Sequence, residues 1–329
     1  MNKVGGPLLS VAGMTSAQRR RMSIRCTQGD LVRLVSGIYL DSTIWVELSE
    51  SERRQARIVA HAAAAPSTVV VGRSAAQLWR LPLAEFRHEP TVELAATSKQ
   101  GGSRRRGAVI FRSSRYVQDQ VRHLTSQFGT VRVTDVPTTG IDLARWHSLD
   151  DAVVAMDLAS QRGRLAHADL TRAAEARRGA KGMVVTRDLL NLVTSQSESP
   201  RESELKLQMW RAGLPPPFQQ TRFVDEAGEF VARSDFFFAV GIAVEYHGQG
   251  KFKGEFGEDP ALAMRRKMER QDRLLELGVV LVNVERDGFA DGSAVGLIQR
   301  HHEHLSERGA GVERRFWTPG VPAWRVTGR

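Results

Sequence analysis

The stretch 231–246, VARSDFFFAVGIAVEY, limits what this chain can become more than any other. Aromatic and β-branched runs on either side of a Val240-Gly241 break read as two short strands joined by a tight turn. Each strand carries one acid, Asp235 and Glu245, in an otherwise apolar run. A carboxylate buried there without a partner is costly. Two of them on neighbouring strands repel each other, and a divalent cation removes that cost. The alternative is that both acids sit at strand ends, in water or paired with arginines.

Charge bears on what such a site would act upon. The 329 residues include 47 Lys+Arg against 37 Asp+Glu, a net charge of +10. That excess favours an anionic polymer as partner, most simply nucleic acid. The competing reading is a basic surface without a dedicated partner. A single cysteine, Cys26, leaves no internal disulfide framework and no cysteine-based zinc site, and points to a reducing cytoplasm. No apolar run is long enough to span a bilayer and no basic-then-apolar leader opens the chain, so a cytoplasmic location without a membrane partner is expected.

Residues 1–13 read as a weakly ordered tail, with organised sequence beginning at Met14. Ser16 is the expected N-cap of a basic helix, AQRRRMSIR. After Gly29, DLVRLVSGIYLD reads as a small hairpin with its turn at Ser36-Gly37. A basic helix followed by a two-stranded wing matches the second half of a winged helix-turn-helix. Arg19, Arg20, Arg21 and Arg25 would then face DNA, and Arg33 on the wing would touch phosphate. A solvated arginine face is the alternative. Ser49 opens SESERRQARIVAHAAAA, an amphipathic helix with early acids. Val69-Val70-Val71 reads as a buried strand, and Ser74 as the cap of AAQLWRLPL. Residues 90–135 are strand-like, interrupted by a flexible basic loop, TSKQGGSRRRG. Arg104, Arg105 and Arg106 on that loop are either a second phosphate surface or a solvated loop. Ser148 caps LDDAVVAMDLAS, and the rest to 197 reads as structural.

A third unit opens at Ser199-Pro200-Arg201-Glu202, with Ser at the N-cap, Pro at N1 and Glu at N3. The order that follows is helix, three strands, helix, strand, helix. His301, His302 and His304 read as a solvated helix end.

That order resembles the core of the PD-(D/E)xK nuclease fold. Residues 199–305 resemble the small Vsr-like nuclease domain of the DUF559 and MTES_1575 type, common in actinobacterial proteins. The matching pieces are SPRE at 199–202, ARSDF at 232–236, AVEYHG at 243–248, KF at 251–252, EDP at 258–260, RQD at 270–272 and GVVLVNV at 278–284. The upstream part resembles an AbiEi-like winged-helix antitoxin or regulator through LVRLVSGIYLD, SAAQLWRLPL at 74–83 and VRVTDVPTTGIDLAR. The resemblance implies that Asp235 and Glu245 hold Mg²⁺ or Mn²⁺, with Glu202 as a further acidic ligand or as a cap only. It puts His247 where the family pattern has lysine, so His247 is either a general base or acid or the mark of a degenerate site. Lys251 matches a lysine that the family places just after. Arg270 matches the family's helix pattern, and a face with Arg265, Arg266, Lys267 and Arg270 would track phosphates.

The expected fold class is α/β with a mixed α+β N-terminal part. It divides into a tail (1–13), a winged-helix-like module (14–66), an AbiEi-like middle domain (67–197), an αβββαβ restriction-endonuclease-like domain (199–306) and a C-terminal tail (307–329). The expected function is a DNA-binding protein with a metal-dependent endonuclease domain. Its rival is a non-catalytic, AbiEi-like antitoxin or transcriptional regulator that keeps a degenerate nuclease fold, with a cognate toxin as partner. An RNA-directed nuclease is a weaker third reading. Cutting both strands with one active site per domain would call for a homodimer.

Overall fold

A computed structural model describes residues 2–3, 6–84, 91–96, 102–114, 116–247 and 260–325. The chain is mixed α/β and divides into two compact units, Met1–Met156 with Leu165–Thr186, and Asp157–Arg164 with Arg187–Arg329. Among the described residues there are three sheets and twelve helices, and no helix is long and apolar enough to cross a membrane.

The first unit begins with β1 (Asn2–Lys3), β2 (Leu9–Ser10), α1 (Ser16–Thr27), β3 (Leu31–Val35) and β4 (Ile38–Asp41). Within the stretch read as a weakly ordered tail, the described residues 9–10 join a sheet. β2 pairs with β4, and Leu8 and Leu9 are buried, because this apolar pair supplies a strand to a sheet of order β1-β2-β4-β3. Thr15, rather than Ser16, caps α1: its hydroxyl accepts from Gln18 N–H, and the Gln18 side chain accepts in return from the Thr15 N–H. The hairpin expected at 31–40 is present.

Next come α2 (Ser42–Glu47), α3 (Glu50–Ala64), β5 (Thr68–Val70), α4 (Gly72–Leu78), β6 (Val92–Ala96), β7 (Arg104–Arg106) and β8 (Val109–Arg112). Ser49 caps α3 in a reciprocal arrangement with Glu52. Ser74 does not cap α4. It lies inside the helix, and its hydroxyl accepts from Glu93 N–H. The basic stretch read as loop instead carries β7, an edge strand whose three arginines are exposed.

β9 (Val121–Ser126) and β10 (Gly129–Thr134) complete a sheet of order β7-β8-β6-β5-β10-β9, followed by α5 (Val136–Trp146), α6 (Leu149–Gln161) and α7 (His167–Glu175). One apolar core joins Leu8, Leu40, Ile58, Val59, Val70, Leu94 and Val133. It therefore runs across the division at residue 66 that the sequence suggests.

The second unit holds α8 (Thr186–Leu192), α9 (Pro200–Arg211), β11 (Phe218–Val224), β12 (Phe230–Phe238), β13 (Ile242–Tyr246), α10 (Pro260–Glu276), β14 (Val280–Val284), α11 (Arg286–Ala290), α12 (Ser293–Glu307) and β15 (Trp317–Thr318). Its sheet runs β14-β13-β12-β11-β15, antiparallel except for the parallel pair β13–β14. In the stretch read as a C-terminal tail, β15 pairs with β11, and Ala323 and Trp324 are buried. Its Trp317 ring sits 5.0 Å from Phe237, which packs edge-on against Phe223 at 4.9 Å. These rings, with Ala243 and Leu274, form the core beneath α10.

Candidate active site

The hairpin of β12 and β13 turns at Gly241, where φ is +108° and a Cβ would stand 2.7 Å from the Gly278 carbonyl oxygen. Only glycine fits there without displacing backbone. The turn sets the register: Phe238 faces Ile242, Phe237 faces Ala243 and Phe236 faces Val244. Carried one step further, the same register sets Asp235 opposite Glu245. On the other side β13 pairs Glu245 with Asn283 of β14. Paired residues project from the same face of a sheet. The apolar strands therefore carry one polar row, Asp235, Glu245 and Asn283, across three strands.

Gln220 extends this row on β11. It falls between the pairs Gln219–Phe236 and Thr221–Ser234 and has φ of +53° inside a strand. A non-glycine residue in that region is strained by roughly 1–3 kcal/mol and marks functional sites more often than others. Its side-chain amide donates to Glu202 Oε2 at 3.3 Å, while its own carbonyl oxygen is buried with no hydrogen-bond partner among the described residues.

Glu202 enters from the first turn of α9. Ser199 caps that helix, with Glu202 N–H donating to its hydroxyl, and the hydroxyl donates to Glu202 Oε1 at 2.8 Å. Glu202 Oε2 accepts from the Glu198 N–H at 2.8 Å. The carboxyl is 7% exposed. Burial first, and the neighbouring Asp235 carboxylate second, push it up to about 7 from an ordinary 4.5. Capping and membership of the acidic site thus coincide in one side chain.

α9 is held from below by a second buried pair. Lys206 and Asp157 are both fully buried, and Lys206 Nζ donates to Asp157 Oδ2 and to the Leu192 carbonyl, each at 2.6 Å. The same carboxylate accepts from Ser203 Oγ at 2.7 Å, Ser197 Oγ at 3.0 Å and Thr194 N–H at 2.9 Å.

Asp235 is half-buried, and its Oδ2 accepts from the Tyr246 N–H at 2.9 Å. Glu245 is 7% exposed. Its Oε2 accepts from Arg270 Nη2 at 2.8 Å, and its Oε1 is buried with no hydrogen-bond partner among the described residues. His247 lies farther off, with Nε2 3.6 Å from Glu245 Oε2 but 2.7 Å from Asn283 Oδ1. With a carbonyl oxygen as partner, Nε2 carries the proton and Nδ1 keeps the lone pair. On the rim Arg201 stacks 5.2 Å above Phe289, whose ring meets Tyr246 at 5.5 Å.

Asp235, Glu245, Glu202, His247 and Arg270 are thus gathered in one place. Arg270 lies on Glu245 rather than on an open phosphate track, whereas Arg266 is exposed on α10. Lys251 lies outside the described residues. Among the described residues no three of His, Cys, Asp and Glu stand as a ready ligand set for a metal ion. In the first unit Arg19, Arg20, Arg21 and Arg33 are exposed, while Arg25 reaches Asp30 at 3.6 Å and Asp41 at 3.9 Å. Arg104 stacks 5.8 Å over Phe111, and Arg105 donates to the Gly107 carbonyl. Sequence reasoning missed Gln220, Asn283 and the Lys206–Asp157 pair. Adjacent glutamines in an apolar strand, and the lone amide in VVLVNV, were the available signals.

No family model matches the chain. It is similar to two Mycobacterium tuberculosis proteins, the uncharacterized protein MT2308 of strain CDC 1551 / Oshkosh and the uncharacterized protein Rv2248 of strain H37Rv. Each is 31% identical over 166 residues, half of this chain. The match spans 59% of the length of these curated relatives.

Proposed function

We propose that the second unit is a metal-dependent DNA endonuclease of the Vsr-like, DUF559 type and that the first is an AbiEi-like, winged-helix-containing module that brings it to duplex DNA. The observation that carries this reading is the row Asp235–Glu245 across β12 and β13, with the buried Glu202 carboxyl against it. Burial first, and repulsion from the Asp235 carboxylate second, raise Glu202 to about 7. The unpartnered, buried Glu245 Oε1 is an acceptor aimed at nothing else described. Carboxylate oxygens are the donors that a hard divalent cation, Mg²⁺ or Mn²⁺, takes. Asp235 and Glu245 would hold it, with Glu202 as third oxygen donor; when bound, it supplies Lewis-acid polarisation of the scissile phosphate and an acidified water.

The chain's own groups account for the rest. Asn283 fixes the His247 ring so that Nδ1 is the atom able to take a proton. Glu202 releases its proton near neutral pH. The exposed Arg19, Arg20, Arg21 and Arg33 supply phosphate contacts from the first unit. A cytoplasmic location and a homodimer for double-strand cutting belong to the same proposal, and a cognate toxin as partner belongs to its rival.

One observation favours the rival, a regulator that keeps the fold without the chemistry. Arg270 already neutralises Glu245, and His247 is tied to Asn283. The deciding experiment incubates supercoiled plasmid with the protein and Mg²⁺ or Mn²⁺, beside Asp235→Ala, Glu245→Ala and an EDTA control. The nuclease reading expects metal-dependent nicking that both substitutions abolish. Equal inactivity of all forms, with duplex binding whose affinity falls steeply with salt, would hand the case to the regulator.

A further inference from the structure

We propose that Arg270 is a tethered cation that holds Glu245 in the metal-free protein and competes with a divalent ion for that carboxylate. This rests on the reading of Asp235, Glu245 and Glu202 as a metal site.

Glu245 is 7% exposed and so cannot rely on water to carry its charge. Arg270 supplies the compensation from α10, through one N–H···O contact of 2.8 Å to Oε2. Guanidinium groups that lock a carboxylate permanently use the fork, two parallel bonds to both oxygens. The Arg233–Glu198 pair of this same unit does so, at 2.9 and 3.0 Å. Arg270 does not. Glu245 Oε1 is left with no hydrogen-bond partner among the described residues. The contact is half of a salt bridge, and the open half belongs to the carboxylate in the acidic row.

The helix need not move for Arg270 to let go. One turn further on, Leu274 is fully buried in the core, and Arg273 donates to Asp225 at 2.8 Å, so the backbone of α10 is anchored. The Arg270 side chain keeps 32% of its surface in solvent and has water to swing into. Arg270 on Oε2 and a divalent ion on the open Oε1 would face each other across one carboxylate, and two cations at that separation in a desolvated site repel strongly. His247 Nε2 stands 3.6 Å from Glu245 Oε2 and closer, at 2.7 Å, to Asn283 Oδ1. Metal affinity is therefore lowered by the fraction of time that Arg270 occupies Glu245.

The test uses Mn²⁺ alone, titrated calorimetrically into the full chain, with thermal melts of the metal-free forms alongside. Arg270→Met removes the charge and keeps the stem; Arg270→Lys keeps the charge; Glu245→Gln removes the ligand. Arg270→Met is expected to bind Mn²⁺ at least ~10-fold more tightly than wild type while melting at a lower temperature without metal. Arg270→Lys should bind like wild type, and Glu245→Gln should not bind. If Arg270→Met binds no more tightly than wild type while Glu245→Gln abolishes binding, the metal site survives and the competing role of Arg270 is overturned. If none of the four binds, both readings are overturned together. Should Arg270→Met not fold without metal, refolding from urea reads the same competition. Recovery with Mn²⁺ but not with EDTA supports it, and equal failure in both refutes it.

Discussion

Replacing Asp157 with alanine should damage the second unit more than any single change at its acidic site. Asp157 and Lys206 are both fully buried, and the ammonium has one other acceptor, the Leu192 carbonyl. Desolvation already pulls the Lys206 ammonium below its ordinary range, with Asp157 the group that opposes it. Removing the carboxylate strands that charge and also deprives Ser197, Ser203 and the Thr194 N–H of their acceptor. Breaking a buried pair from one side costs about 3–5 kcal/mol. For a unit of this size that is a drop of roughly 6–20 °C in melting temperature. Lys206→Met should cost less, because Asp157 keeps three donors and the methionine stem fills the same space. Urea denaturation followed by circular dichroism, on both single variants and on Asp157→Ala/Lys206→Met, closes the cycle. The double variant should recover at least ~2 kcal/mol relative to the sum of the singles. Additive effects would mean that the pair is not coupled, and the argument for α9 being held by it would fail.

Protonation of Glu202 gives a pH signature. Its folded-state value, about 7, lies above the ordinary 4.5, so its contribution to stability is complete below 4.5 and is lost as pH rises through 7. Metal-free wild type should lose on the order of 3 kcal/mol from this group across that window, and Glu202→Gln should flatten the profile; an unchanged profile refutes the assignment. At Gln220 the usual strand preference should invert. With φ at +53°, Gln220→Gly should fold at least as stably as Gln220→Ala, and Gln220→Val should lose about 1–2 kcal/mol more, measured by urea midpoints. A valine variant as stable as the glycine one would contradict the strain.

Much of the second unit was legible because its signals are local. The strands FQQTRFV, FVARSDFFF and IAVEY fall at 218–224, 230–238 and 242–246 as their apolar runs suggest, and Gly241 sets the turn between the last two. Ser199, Ser49 and Ser148 cap their helices through contacts three residues away. Once the hairpin is read, the register that sets Asp235 opposite Glu245 follows from counting. The N-terminal hairpin was legible for the same reason. The flanking segments were not: 1–13 and 307–329 are too short to announce themselves, and β2 and β15 exist only because β4 and β11 offer them an edge.

What the sequence alone determined, then, is whatever a run of neighbouring residues can specify: the elements, their caps, the tight turn and the pair of acids on adjacent strands. Tertiary structure decided who answers those acids. Arg270 is 25 residues from Glu245 along the chain, Asn283 is 36 from His247, and Lys206 is 49 from Asp157. Charge compensation in a buried site depends on distances of a few ångströms, and only the folding of α10, β14 and α9 onto their partners sets those distances.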